Sequence, residues 1–461
     1  MQDTQDQRFF RGYTVFDHEF RTGRNVKQNI LRAAQLAQSE PQGPAYLMAS
    51  RECLEEEITP YTVNVQKWKP LAPTALSESS VVEIGDALLS ATLPVIITTY
   101  YGRDPAAVSG LVALSERLAI PVIEALPAYL NFPHDHPHYM GNHWSGPLEG
   151  KNAVLDEADV VLIIDCDVPY IKTVFKPKET ARVYHIDTDP LKTQMSLFHI
   201  DCELSCRANS KTAVKQLLAY ISKTTKHVME ASIKSRSDDL RDRHEEYSSK
   251  VRSLCAMPKD DDRITPHYAL SVLRAQLESS AIILSEGISN YRPVADVMCP
   301  TLPGTYFTSG ATALGWHGGA ALGAKLAQPD ATVVSITGDG SFLFSLPENV
   351  HWMSRRYDIP FLTVILNNRG WKSPMLSAMA VHKDGYTSQM NSSDDLHVTF
   401  DPPPDHAGVA VAAGAGFGVI VKKASELETA IRKALQVVRQ EGRSAVVDVW
   451  LPKFNVGDRV G

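Results

Sequence analysis

Residues 335–344 read SITGDGSFLF. An apolar run, 331–336, ends in Gly338-Asp339-Gly340-Ser341. Gly-rich turns after strands are ready phosphate cradles, because their backbone N–H groups lie bare. A carboxylate in such a turn repels phosphate unless a cation stands between them. A second apolar run, FLTVIL at 361–366, stops at Asn367-Asn368. In a parallel sheet both runs end on one edge, the usual edge for ligands. The Asp339 carboxylate, the Asn368 amide oxygen and a main-chain carbonyl just beyond Asn368 can then converge. These are hard oxygen ligands suited to Mg²⁺. The metal would be the largest local charge and would reverse the repulsion. The amides around Gly340 and Ser341 could still donate to phosphate oxygens.

The elements that position these residues follow from periodicity. Residues 78–225 alternate buried strands (94–99, 120–125, 160–165, 181–187) with helical patterns, the mark of a parallel, doubly wound sheet. A charged helical stretch, roughly 226–255, and the polar loop PKDDDR read as a linker. Thr265-Pro266 then offers an N-cap with proline at the first helical position. From there the alternation resumes, with strands expected at 281–286, 331–336, 361–366 and 444–450. A helix is expected from about Leu346. GAGFG at 414–418 reads as a loop between a helix and a strand. Upstream, 25–50 read as one helix and one strand, too little to bury a core.

The GDGS turn with the later Asn-Asn resembles the metal-diphosphate motif of thiamine-diphosphate enzymes. SEGISN (285–290), TSGATALGW (308–316) and the stretch 23–52 are similar to the acetolactate synthase, decarboxylase and lyase branch of that family. The resemblance implies an α/β fold of parallel doubly wound sheets. It places a remnant of a pyrimidine-binding domain at 1–70, a Rossmann-like central domain at 78–225, a linker at 226–264 and a diphosphate-binding domain at 265–461. It implies Asp339, Asn368 and the Gly370 carbonyl as Mg²⁺ ligands. Gly338, Gly340, Ser341, Ser289 and Asn290 fall where the family binds diphosphate. Leu314 falls where a bulky residue sits under the bent cofactor, with core packing as the other reading. The backbone of Ser309 and Gly310 would meet the aminopyrimidine. The implied cofactors are thiamine diphosphate and Mg²⁺; FAD is left open.

That family activates its cofactor with a Glu from the pyrimidine-binding domain of a partner subunit. Here the resemblance begins in that domain's closing portion. Glu19, Glu52, Glu55, Glu56 and Glu57 come too late to be that residue, so no catalytic side chain is assigned. Two readings follow: an incomplete product of an ordinary enzyme gene, or a short form with poor turnover. The implied reaction is carbon–carbon bond cleavage or ligation on a 2-keto acid, acetolactate synthase-like. A 2-hydroxyacyl-CoA or benzaldehyde lyase is the alternative, because NNRGW departs from the acetolactate synthase pattern. A non-catalytic subunit pairing with a full-length homologue is a further one. The resemblance implies a homodimer or homotetramer.

Composition narrows the partners. A net charge of −7 gives no reason to expect nucleic acid or an anionic membrane. The apolar runs are too short to span a bilayer. Six scattered cysteines, including Cys202 and Cys206 without a second pair, suit a reducing compartment and structural roles. The N-terminus lacks signal-peptide and transit character, so a cytoplasmic location is expected. The absence of G-x-G-x-x-G after the central strands argues against NAD. His134, His136, His138 and His143 lie in a Pro-rich loop without the pairing that fixes a metal. Trp371 and Lys372 could line a substrate pocket or pack at the surface. His382 is a candidate for the mouth of the site.

Overall fold

The computed structural model describes residues 9–143, 153–172, 175–193, 195, 199–224, 230–309 and 313–456. The chain forms two compact units, 1–87 with 182–223 and 88–181 with 224–461. It is an α/β protein with two six-stranded parallel sheets.

β1 (Phe16–Phe20) and β2 (Ala45–Ala49) pair in parallel and are joined through the helix Val26–Gln38. β1 was not expected from sequence, because FDHEF is half polar. Glu56 accepts from Thr22 Oγ1 at 2.8 Å and from Gly23 N at 2.6 Å. One of the acidic cluster thus holds a turn.

The central strands are β3 (Pro94–Thr98), β4 (Val122–Ala125), β5 (Tyr139–His143), β6 (Val160–Ile164), β7 (Arg182–Asp187) and β8 (Leu204–Arg207). Their order is β5-β4-β3-β6-β7-β8. β3 and β6 are buried at every residue, as expected of Val/Ile-rich runs covered on both faces.

The charged stretch forms one helix, Glu230–Leu254. Thr265 caps the helix Pro266–Arg274, its side chain accepting from Tyr268 N. The last sheet contains β9 (Ile282–Glu286), β10 (Tyr306–Thr308), β11 (Val333–Gly338), β12 (Leu362–Asn367), β13 (Phe417–Val421) and β14 (Ala445–Trp450). Its order is β10-β9-β11-β12-β14-β13. One face packs Ile283, Val334, Ile336 and Val364 against helices Pro266–Arg274 and Ala424–Gln440. The other buries Leu284, Val333 and Phe361.

One expected boundary is corrected. The helix after β11 starts at Asp339 itself and runs to Phe344. The element near Leu346 is a second helix, Pro347–Arg356. Leu346 takes a left-handed conformation, φ 54°, which breaks the chain between them. No helix among the described residues is long and apolar enough to cross a membrane.

Candidate active site at the carboxyl edge of the last sheet

Three strand ends meet here. Register pairs Thr337 with Glu286 and Gly338 with Leu366, so β9, β11 and β12 finish level. From β9 the chain crosses to β10 on one side; from β11 it crosses to β12 on the other. A crevice opens at such a reversal. It is a cavity of about 300 Å³.

Most of the residues singled out from sequence line this cavity. Ser289 and Asn290 come from the turn after β9, and Leu314 precedes the helix Trp316–Ala327. Gly338, Asp339, Gly340 and Ser341 come from the turn after β11, Asn368 and Gly370 from the turn after β12. Trp371 and Lys372 line it as well. Ser309 is not in the lining; its hydroxyl lies 3.1 Å from the Tyr291 hydroxyl. Gly310 lies outside the described residues. His382 closes the helix Lys372–Val381 and is not among the described lining residues.

Asp339 is 3% exposed. Its Oδ1 accepts from Gly340 N at 3.0 Å and its Oδ2 from Gly370 N at 2.8 Å. Burial pushes its pKa up to about 6, and the N–H groups pull the other way. An ionised carboxylate has further lone pairs to give. The two asparagines are used differently. Asn367 donates from Nδ2 to Asp448 Oδ1 at 2.9 Å and accepts from Arg369 N at 3.0 Å. Asn368 is 7% exposed, and its Oδ1 is buried without a hydrogen-bond partner. A buried carbonyl left this way calls for an explanation. A hard cation between it and Asp339 supplies one.

The glycines shape the cavity. A Cβ on Gly340 would lie 2.2 Å from Cζ3 of Trp371, so the indole packs directly on that backbone. Gly370 has φ 151°, and a Cβ there would lie 2.3 Å from the Val398 carbonyl. A Cβ on Gly338 would meet nothing within 4 Å, so the protein leaves that side open.

Sequence reasoning missed Glu286. Fully buried at the end of β9, it accepts from Gly315 N at 2.7 Å and from His317 N at 2.8 Å. It ties the start of the helix Trp316–Ala327 to the turn carrying Ser289. Burial holds its pKa above the usual range, against those N–H groups. A carboxylate closing an otherwise apolar strand, AIILSE, was the available signal. Ile288, Leu366, Ser373, Pro374 and Ser377 also line the cavity and carry no chemical signal in the sequence.

The histidine loop is used for packing. His134 Nε2 lies 2.9 Å from buried Glu124 Oε2. His138 lies between the Ser115 and Ser237 hydroxyls, at 3.0 and 3.1 Å. No cluster of three His, Cys, Asp or Glu side chains that could hold a metal occurs among the described residues. A metal on Asp339 would draw its other ligands from amide and backbone oxygens.

Residues 288–449 match the family model "Thiamine pyrophosphate enzyme, C-terminal TPP binding domain". Residues 81–217 match "Thiamine pyrophosphate enzyme, central domain". A probable acetolactate synthase large subunit of Methanocaldococcus jannaschii is 25% identical, covering 78% of this chain and 61% of the relative. The acetolactate synthase isozyme 3 large subunit of Escherichia coli is 23% identical, covering 94% and 73%. The chain thus spans only part of these relatives' length. Benzoylformate decarboxylase from Polynucleobacter necessarius shares the fold, with a TM-score of 0.76 over 98% of this chain at 20% identity. With both family models matched in order along its length, the chain belongs to the thiamine pyrophosphate enzyme family.

Proposed function

We propose that the protein is a thiamine-diphosphate- and Mg²⁺-dependent enzyme that breaks or forms a carbon–carbon bond on a 2-keto acid, as acetolactate synthases do. The observation that carries this reading is the convergence of Asp339, Asn368 and Gly370 on one cavity, with Asn368 Oδ1 buried and unpartnered. The side chains of Asp339 and Asn368 with the Gly370 carbonyl would hold Mg²⁺. Gly338, Gly340, Ser341, Ser289 and Asn290 would hold the diphosphate. Leu314 would support the bent cofactor, and the backbone at Ser309 and Gly310 would meet its pyrimidine. The open space beside Gly338 supports the fit.

Bound thiamine diphosphate supplies the electron sink that lets a 2-keto acid lose carbon dioxide. This chain's own residues bind and orient. Trp371 packs on the Gly340 backbone, and Glu286 fixes the segment that carries Leu314. We propose assembly as at least a homodimer. The exposed Phe344, Leu346, Trp352 and Tyr357, in and flanking the helices after β11, support it, because exposed apolar side chains favour association.

Titration calorimetry with thiamine diphosphate in excess Mg²⁺, followed by a 2-keto acid consumption assay, tests the reading. Binding that disappears on chelation, with consumption dependent on both ligands, is expected. Failure to bind thiamine diphosphate would overturn it.

A further inference from the structure

We propose that Lys372 is a second charge anchor for the diphosphate, opposite the metal; this rests on the cofactor reading above. Only two charged side chains occur among the described residues lining the cavity, Asp339 and Lys372. The Lys372 side chain is half-buried, and among the described residues no carboxylate lies within ion-pair distance of it. A cation left unpaired in a cleft points to an anion from outside.

The backbone reinforces this. Lys372 opens the ten-residue helix Lys372–Val381, whose first turn holds no acidic residue and whose N-cap, Trp371, makes no side-chain bond. Lys372, Ser373, Pro374 and Ser377 from its first two turns all line the cavity. The positive end of that helix therefore faces the same space. Independently, Asn368 is 7% exposed, lines the cavity, and has a buried Oδ1 without a partner.

Charge narrows the ligand to a polyanion. A diphosphate monoester carries about three negative charges at neutral pH, two on the terminal phosphoryl group and one on the inner. A divalent cation offset by Asp339 leaves one net positive charge. Lys372 adds a second, so a multiply charged diphosphate is better matched than a single carboxylate. The Lys372 backbone N–H bonds the Gly370 carbonyl at 3.1 Å, which couples this cation to the metal-ligand turn.

Titration calorimetry of the full chain with thiamine diphosphate and with thiamine monophosphate, both in excess Mg²⁺, tests the assignment. Lys372→Met should weaken thiamine diphosphate binding about 10- to 100-fold, the span of one lost charge-assisted bond. Its binding should also become less sensitive to salt. The monophosphate should lose less, and Lys372→Arg should stay close to wild type. Melting curves without ligand should overlay, because the side chain is only half-buried. Wild-type affinity in Lys372→Met would overturn the role of Lys372 and leave the cofactor reading intact. So would unchanged cofactor affinity with a raised KM for the 2-keto acid, which would move Lys372 to the substrate. No binding by the unmodified chain would overturn both.

Discussion

Asp339 Oδ2 accepts the backbone N–H of Gly370 at 2.8 Å, joining the turns after β11 and β12 across 31 residues. Neighbouring Asn368 makes no such bond through its Oδ1. One residue of the pair organises the protein; the other holds an oxygen in reserve. Folding alone gives a buried acceptor no reason to remain unpaired.

That contrast separates stability from binding. Asp339→Ala leaves the Gly340 and Gly370 N–H groups without their acceptor and should cost about 2–4 kcal/mol of unfolding free energy. Asn368→Ala removes an unpaired carbonyl and should stay within about 1 kcal/mol of wild type. Both should lose Mg²⁺-dependent thiamine diphosphate binding. Urea unfolding and calorimetry read the two effects, and an Asn368→Ala protein that binds normally would remove Asn368 from the site.

Gly340 and Trp371 should behave as a coupled pair. The 2.2 Å approach of a Gly340 Cβ to the indole is below any real contact. Gly340→Ala should therefore destabilise by about 1–3 kcal/mol, as overpacking does. Trp371→Ala in the same chain should recover most of that loss. Additive unfolding energies in the double-mutant cycle would show that the backbone, not the indole, resists the methyl.

Much of this arrangement was legible before the fold was known. β9, β11, β12 and β14 are rich in Val, Ile and Leu with few polar interruptions, and such runs announce buried parallel strands. Asp339 and Asn368 were legible because a strand-end acid and a strand-end amide on one sheet edge have few other uses. β5, with Tyr139–His143, and β8, with Leu204–Arg207, were not. They are short and polar, and pairing with a neighbour rather than pattern makes them strands. Leu366 and Ile288 look like any core residue until the cavity between strand ends is seen. Glu286 could be flagged as odd, but its acceptor role depends on Gly315 and His317, brought near by the fold.

Glu286 is expected to matter through geometry. Its carboxylate takes N–H groups from Gly315, Trp316 and His317. Glu286→Gln turns one oxygen into a donor facing these donors, at a cost of about 2–4 kcal/mol. Because the same segment carries Leu314, cofactor affinity should fall as well. Glu286→Asp, which keeps the charge, should recover part of both. Unfolding midpoints and calorimetric affinities unchanged in Glu286→Gln would show that the helix start holds without it.

A pH-dependent stability should trace to histidines around Phe342. The rings of His317, His351 and His406 lie 6.0, 6.3 and 5.3 Å from that of Phe342, on the helix that begins at Asp339. Each Nε2 is buried without a partner. Burial lowers the His317 pKa to about 3 and those of His351 and His406 to about 4. A histidine with a depressed folded pKa leaves the unfolded chain with more bound protons between about 6.5 and 4. Stability from that residue therefore falls as pH falls through this window. Asp339 and Asp448, raised to about 6 and about 7, act in the opposite sense, so total stability does not isolate the histidines. A difference measurement does. His351, stacked on Phe361 and bonded to the Ser444 hydroxyl at 3.0 Å, is the cleanest of the three. His351→Leu should be destabilised at pH 7.5, and that deficit should shrink by about 1.4 kcal/mol per pH unit below pH 6. Urea unfolding at pH 7.5, 6 and 5 reads it, and a deficit constant across all three would mean His351 titrates alike in the folded and unfolded chains.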